Sequence, residues 1–454
     1  MQKGRKRRWL LGLGLAVAVF FGMSLTIHWS DDACPARSYL ATDWFPVTPA
    51  AVDMQSANAV AQWARKYNVA CQTCHTAFPR LNYIGEKFAR NGYQFEDTED
   101  GDDTKEKIDD LTFIDKVSNL FGFRISFTPV EVTTKALNID GTQKLRYNFG
   151  AANWLQFFVA GTIFKNASIF AEVEMNGENG TTYSTAGVPH INWFTLGYHN
   201  LFHTSLLNIR LGKLSMMNWH AQTGRLRMIP NINIAATNAR TSLGAAAALA
   251  PEDQIRLESP TPAIEVYGYK GFFQYSVGVA NGSKFVDSNQ YKNFFGTLRF
   301  EIPDGDFAGS SVTAWGMHGR DTAVSGAETP AVAQVKNTFY AYSGAANLRW
   351  KDLDVIASYF MEKERNYDFA GAQNKRHGFS GQVGYLLNPQ WFLALQYDKV
   401  QDTANSGAEY HKVSEHVSYM PRQNMRIGLT AREEMSARAT GRQHELLLNI
   451  RAMF

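Results

Sequence analysis

From about Phe121 to the C-terminus the chain repeats one pattern, in which apolar and polar positions alternate in segments separated by Gly, Asn, Asp or Pro. In Ile169-Phe170-Ala171-Glu172-Val173-Glu174-Met175 the odd positions are aliphatic and two even ones are carboxylates. Phe273, Tyr275, Val277 and Val279 alternate with Gln274, Ser276 and Gly278, and Leu353, Val355, Ala357 and Tyr359 with Asp354 and Ser358. The same alternation recurs in Trp391–Asp398 and Met425–Arg432. A period of two with one apolar and one charged face is the mark of a strand. Segments of about ten residues with aromatics near their ends predict a transmembrane antiparallel β-barrel. A soluble β-sandwich accounts less well for so many charges on the polar face, which suit a wet lumen.

Counting segments predicts about sixteen strands, an even number as such barrels require. Five lie near Phe121–Val132, Asn153–Phe164, Ala167–Asn176, Ile191–His199 and Leu206–Leu214, and eleven more follow from Ala263 to Phe454. A barrel of this size leaves a water-filled interior. Lys351-Asp352 and Asn388-Pro389 read as tight periplasmic turns. The longest irregular stretch, Ser215 to about Leu257, reads as a loop folded into the lumen. The last strand ends Leu446, Leu448, Ile450, Ala452, Phe454, and this terminal Phe resembles the insertion signal of bacterial outer-membrane proteins.

Before the barrel the period changes. Ala57, Val60, Ala61 and Ala64 have helical spacing over Ser56–Lys66, flanked by Trp63. Leu81, Ile84 and Phe88 repeat it after Pro79, which is placed as a first-turn proline, and Asn91-Gly92 ends the helix. Between these helices stands Cys71-Gln72-Thr73-Cys74-His75. Cys-x-x-Cys-His is the attachment signature of a c-type haem: two thiols bond the two vinyl groups of one porphyrin, and the adjacent imidazole becomes the proximal iron ligand. A redox dithiol needs a βαβ context, and a zinc site needs a second ligand pair that the chain lacks. The expectation is one covalently bound haem c on Cys71, Cys74 and His75. About 45 residues are too few to bury a porphyrin, so a larger partner must cover its other face.

The distal ligand is left open. No Met or His lies between Thr76 and Met175. Met54 is upstream, and His190, His199, His203, Met216, Met217, His220 and Met228 are downstream. Each is also a plausible structural residue, and an open or water-ligated iron is a further reading. Glu172, Glu174, Arg210 and Arg299 are expected on the polar lumen wall, where they either tune a redox centre or are simply wetted.

Lys3, Arg5, Lys6, Arg7 and Arg8 precede an apolar run from Trp9 to about Thr26, which reads as a secretory signal or an uncleaved anchor. Cys34 reads as lost with the leader or as a stray thiol. Glu96, Asp97, Glu99, Asp100, Asp102 and Asp103 crowd into eight residues, read as a solvated linker or as a patch for a cation or a basic redox partner. The totals, 45 Lys and Arg against 42 Asp and Glu in 454 residues, imply no nucleic-acid partner. The expected domains are a leader (1–36), a small α-helical monohaem cytochrome c module (50–95), an acidic linker (96–118) and the mainly-β barrel (119–454).

This order, together with the wording Ala64-Arg65-Lys66-Tyr67, Cys71 to His75, Phe78-Pro79-Arg80-Leu81-Asn82, Gly85, Phe88 and Asn91-Gly92-Tyr93, resembles the outer-membrane fused cytochrome–porins of iron-oxidising bacteria. The Phe-Pro-Arg-Leu-Asn run is also similar to related proteins of metal-respiring bacteria. The resemblance implies a haem held inside an outer-membrane barrel of a Gram-negative bacterium. It implies one-electron oxidation of extracellular Fe(II), an iron:cytochrome c oxidoreductase activity, with a periplasmic cytochrome c as acceptor and outer-membrane lipid as surroundings. The alternatives are electron export to an extracellular acceptor and a solute porin with a haem plug. A haem peroxidase is a further rival, which needs an open iron position and a distal acid–base residue.

Overall fold

The computed structural model describes residues 62–95, 106–107, 113–137, 143–176, 189–220, 228–229, 260–281, 291–322, 336–366, 371–403, 410–435 and 444–454. The leader, Cys34, Met54 and the acidic run from Glu96 to Asp103 lie outside them. Residues 62–95 and the barrel belong to one compact unit, Ala51–Phe454.

Sixteen antiparallel strands close into a barrel. The first five are β1 (Phe121–Leu137), β2 (Gln143–Phe164), β3 (Ala167–Asn176), β4 (His190–Tyr198) and β5 (Asn208–Leu214). β6 (Thr261–Lys270), β7 (Phe273–Ala280), β8 (Asn293–Glu301), β9 (Ser311–Thr322) and β10 (Lys336–Trp350) follow. The circuit continues with β11 (Leu353–Glu364), β12 (Asn374–Asn388), β13 (Trp391–Asp402), β14 (Tyr410–Arg422), β15 (Met425–Glu434) and β16 (His444–Met453). β16 closes the ring on β1, with Leu446 opposite Val132 and Ala452 opposite Ile125. The division into five strands, a long connection and eleven strands is the one the alternation predicts; β1 and β2 run longer than expected, to Leu137 and back to Gln143.

The two faces of each strand sort as the pattern requires. On β8, Asn293, Thr297, Arg299 and Glu301 are buried toward the lumen, while Phe294, Leu298 and Phe300 face outward and are exposed. On β12, Arg376, Ser380 and Gln382 point inward and Phe379, Val383 and Tyr385 outward. A closed barrel leaves no unpaired edge, and its continuous apolar outer band is stable only against lipid. Phe454 lies beside this seam, its ring stacked on Phe123 with centroids 4.8 Å apart.

One end of the barrel carries the short connections. Lys351-Asp352 joins β10 to β11, and Pro389-Gln390 joins β12 to β13. The Asn388 side chain accepts from the N–H groups of Gln390 and Trp391, which fixes that turn. The β2–β3, β6–β7 and β14–β15 turns, the start of β1 and the end of β16 lie at this same end, which in bacterial outer-membrane barrels faces the periplasm.

The lumen is partly filled, contrary to the expectation of a water-filled interior. Residues 62–95 sit in it at the short-turn end. They form helix α1 (Gln62–Tyr67), a single turn at Cys71–Thr73, a hairpin of His75–Ala77 with Arg80–Leu81, and helix α2 (Tyr83–Arg90). Pro79 occupies the hairpin turn rather than the first turn of a helix. The helix begins later because Asn82 caps it, its side chain accepting from Gly85 N–H at 2.9 Å. Asn91-Gly92 ends α2 as predicted, Gly92 taking a positive φ of 71°. Ile84, expected on the packed face, is 36% exposed; Gly85, Glu86 and Phe88 are buried instead. Of the first predicted helix, the part before Gln62 lies outside the described residues.

The described part of the long connection also enters the lumen. Met216 and Met217 pack against Phe295, Trp315, Phe339 and Phe360, and the Met216 carbonyl accepts from Trp315 Nε1 at 2.8 Å. Met228 and Ile229 pack with Ala77, Ile356 and Phe392.

Candidate functional site

The Cys-x-x-Cys-His segment is held as a tight turn by Cys74 N–H donating to the Cys71 carbonyl at 3.2 Å. Asn82 ties it to α2. Its Nδ2 donates to the carbonyls of Gln72 and Thr73, each at 3.0 Å, and its N–H to that of Cys74 at 3.0 Å. The barrel turns hold the segment from outside: Cys71 N–H donates to Gln423 Oε1 at 3.0 Å and Gln72 Nε2 to the Pro389 carbonyl at 2.9 Å.

Cys71 and Cys74 are not disulfide-bonded. Burial pushes the Cys71 thiol up to about 11; burial and the neighbouring Cys71 push Cys74 up to about 12. His75 is enclosed. Burial lowers its pKa to about 4, against the backbone of Pro79 and Arg80, which favours the proton. Among the described residues no group is aligned well enough to hydrogen-bond its Nδ1. The imidazole is therefore neutral at pH 7, the form that ligates a metal. All three residues line a cavity of about 630 Å³, within the range of cofactor pockets.

Aromatic rings from the lumenal helices form one side of that cavity. Trp63 stacks on Tyr93 with centroids 4.7 Å apart and meets Phe88 edge-on at 5.6 Å. Phe158 and Phe170 of the barrel extend the cluster. Glu172, Glu174, Arg210 and Arg299 all line the cavity, as expected for the wall. All are paired: Arg210 with Glu265, Arg299 with Glu86, Glu174 with Asn192 and Glu172 with Gln156.

A set of buried ion pairs fixes the lumenal segment to the wall. Arg80 donates to Asp354 through Nε at 2.8 Å and Nη2 at 3.2 Å, and to Asn347 Oδ1 at 2.9 Å. Glu86 receives Arg299 at 2.6 Å and Arg349 at 2.5 Å. Arg90 meets Glu301 at 2.6 Å. Burial alone would raise the Glu86 carboxyl, but Arg299, Arg349 and Arg80 outweigh it and hold it well below the usual carboxylate range.

Of the candidate distal ligands, those whose side chains are described do not line the cavity. His199 bonds Ser168 Oγ at 2.6 Å and Tyr267 Oη at 2.8 Å, and His220 bonds Ser343 Oγ at 2.9 Å. His203 lies in an exposed turn, and Met216 and Met217 belong to the apolar cluster described above. Met228 packs beside Ala77 but does not line the cavity. Met54 and the His190 side chain are outside the described residues. The cavity wall instead presents Met420, Met425 and Met453, together with Arg124, Arg426 and Arg451. Proximity in sequence hides these residues. Their position at the short-turn end of β14, β15, β16 and β1, with lumenal parity for all but Met425 at the very start of β15, is the signal that would have found them.

The residues fit a c-type haem. Two thiols at the attachment spacing, a neutral enclosed imidazole with an unpartnered Nδ1, and an aromatic-lined cavity converge at one place. Among the described residues no cluster of three or more His, Cys, Asp or Glu side chains is placed to hold a bare metal ion.

Comparison with solved structures concerns the barrel. It superposes on an anion-selective porin from Comamonas acidovorans with a TM-score of 0.53 and 14% identity, over 74% of this chain and 98% of that one. The barrel has the fold of outer-membrane porins. The outer membrane channel DcaP of Acinetobacter baumannii gives 0.51 and 12% identity, over 76% of this chain and all of its own. Salmonella typhi OmpF, solved in complex with daunomycin, gives 0.50 and 10%, over 79% of this chain and all of its own. No protein-family model and no curated protein matches the chain.

Proposed function

We propose that the protein is an electron conduit of the outer membrane of a Gram-negative bacterium, in which residues 62–95 act as a monohaem cytochrome c module seated in a porin-like barrel. The observation that carries this reading is the placement of Cys71, Cys74 and His75 on one cavity inside a membrane-spanning barrel. The thiols of Cys71 and Cys74 would form the two thioether bonds, and His75 would ligate the iron. A bound haem c supplies a one-electron couple whose potential depends on ligation, burial and hydrogen bonding. The chain's own part is to exclude lipid, hold the motif between the Gln423 and Pro389 turns, and enclose it with Trp63, Phe88 and Tyr93. In the net reaction each extracellular Fe(II) becomes Fe(III), and its electron reduces one molecule of oxidised periplasmic cytochrome c. No acid–base group of a hydrolase or transferase is needed.

The test is anaerobic mixing of the oxidised, detergent-solubilised protein with Fe(II) while haem absorbance is followed. Rapid reduction, lost in Cys71→Ala and His75→Ala, supports the inward direction. If Fe(II) leaves the protein oxidised while dithionite reduces it, electron export to an extracellular acceptor takes its place.

A solute porin narrowed by a lumenal plug is the second reading, and the likeness of the barrel to porins favours it. Solute flux through the reconstituted protein, independent of redox state, would establish it over the conduit.

A further inference from the structure

We propose that the indole N–H of Trp219 and the side-chain amide of Gln274 are the donors that hold the propionates of the haem, on the lumen wall across from the attachment turn. This inference rests on the reading of Cys71, Cys74 and His75 as a haem site.

Both residues line the cavity that the motif faces. Trp219 is 7% exposed and Gln274 1%. Gln274 Oε1 accepts from Arg90 Nη1 at 3.5 Å, but its Nε2 meets no acceptor among the described residues, and neither does Trp219 Nε1. Arg90 Nε, on the same cavity, is without an acceptor as well. Buried N–H groups are nearly always hydrogen-bonded, because an unpaired one has lost its hydration and gained nothing in exchange. Donors of this kind gathered on one wall of a cofactor cavity mark where a ligand brings acceptors. The charged side chains around them are already matched: Arg210 with Glu265, Arg90 with Glu301 and Arg299 with Glu86. What the wall has left to offer is hydrogen bonds, which a carboxylate accepts more strongly than a neutral group does.

Their place in the barrel matches the shape of the group. A haem c carries its propionates on the edge opposite its two thioethers. Cys71 is anchored at the β14–β15 turn through Gln423, and β7, which carries Gln274, stands half the ring of strands away from β15. Trp219 lies toward the same wall: its ring packs on Tyr267 of β6 with centroids 4.9 Å apart, and the Arg210 guanidinium lies 4.5 Å from it. Helix α2 joins the two sides. Gly85 abuts the Cys74 carbonyl, while the Arg90 carbonyl accepts from Tyr267 Oη at 2.7 Å. The helical rise sets Gly85 and Arg90 about 7.5 Å apart along the axis, a reach comparable to the width of a porphyrin.

The test uses the full-length, matured protein in detergent, with covalent haem counted by mass of the denatured chain. The haem is labelled with heavy carbon at its propionate carboxyls, and labelled-minus-unlabelled infrared spectra over a pH series follow the protonation of those carboxyls alone. A hydrogen bond donated to a carboxylate favours its ionised form. In Trp219→Phe and in Gln274→Met a labelled carboxyl therefore keeps its proton to higher pH. Its acid dissociation constant falls roughly tenfold or more, the equivalent of one lost hydrogen bond to a charged group. Neither substitution touches the charged neighbours Arg90, Arg210, Arg299, Glu86, Glu265 and Glu301. The two residues belong to separate elements, so either variant carries the test should the other fail to assemble.

Labelled bands that titrate as in the wild type in the haem-loaded variants overturn the assignment and leave the haem itself standing. A free carboxylate or inorganic anion held by these donors gives that same overturning result, because it carries no label. Absence of covalent haem from the wild type removes the reading on which the inference rests, and is distinguished by the mass measurement alone.

Discussion

Gly85 of α2 lies directly against the Cys74 carbonyl, so that a Cβ added there would sit 2.1 Å from the oxygen. The oxygen belongs to backbone already bonded to Asn82 N–H, so it has nowhere to move. Gly85→Ala is expected to push α2 off the attachment turn, costing on the order of 1–3 kcal/mol. On the proposed haem reading, covalent haem per chain should fall severalfold while the heat-modifiable migration of the folded barrel is retained. Undiminished haem content in the alanine variant would show that the two segments are not rigidly coupled.

Glu86 is the carboxylate on which Arg299 and Arg349 converge. Replacing it by Gln removes the nearest carboxylate from two buried guanidinium groups, which keep only the longer pairs Arg299–Glu301 at 3.4 Å and Arg349–Asp354 at 3.8 Å, a loss of at most about 3–5 kcal/mol by analogy with broken buried pairs. Residues 62–95 should then become susceptible to limited proteolysis, and single-channel conductance of the reconstituted protein should rise as the lumen opens. Conductance equal to wild type would mean that the remaining pairs suffice.

Acid should act on the same latch with a defined sign. The folded Glu86 carboxyl lies below its unfolded value, so its contribution is complete above the ordinary carboxylate range and is lost as pH falls through and below about 4. Conductance of the wild type should therefore be steady at pH 5 and rise only at more acidic pH, while Glu86→Gln, already raised, should lack this step.

Two lumenal histidines add a milder dependence at higher pH. Burial, then the charge of Arg210, lowers His199 to about 3; burial, then Arg299, lowers His220 to about 4. The unfolded chain takes up these protons near pH 6.5 and the folded one does not. Stability is thus complete above pH 6.5 and declines as pH falls toward 4, by at most on the order of 1.4 kcal/mol per pH unit for each histidine. Thermal melts from pH 7 to 4.5 should show a decline that is reduced in His199→Gln and His220→Gln. Parallel curves for wild type and variants would contradict it.

The barrel was legible because each strand solves a local problem. Alternation at Ile169–Met175 or Trp391–Asp398 states which face meets lipid without reference to any distant residue. The Cys71–His75 turn could be proposed as an attachment site for a similar reason, its three chemical groups being contiguous. What surrounds that turn was not. Asp354 and Arg349 reach Arg80 and Glu86 only through barrel closure, and no local spacing encodes a pairing across 274 residues. The distal ligand, left open in the sequence, is not decided by local spacing either. His199 and His220 are committed to hydroxyl partners, whereas Met453 and Arg451 reach the cavity because β16 returns to β1. Pro79 misled for a simpler reason: proline suits a hairpin turn as well as a helix start, and the Asn82 cap decided between them.

The span between Arg80 and Asp354 also sets an order of events during biogenesis. The residues synthesised early are among the last to find their charge partners, because those partners sit on strands synthesised much later. Until the final strands close, the Cys71–His75 segment has no wall around it and is open to modifying enzymes. On the proposed haem reading, the time before closure is when a group as large as a porphyrin can be joined to it, and anything that hastens closure shortens that window.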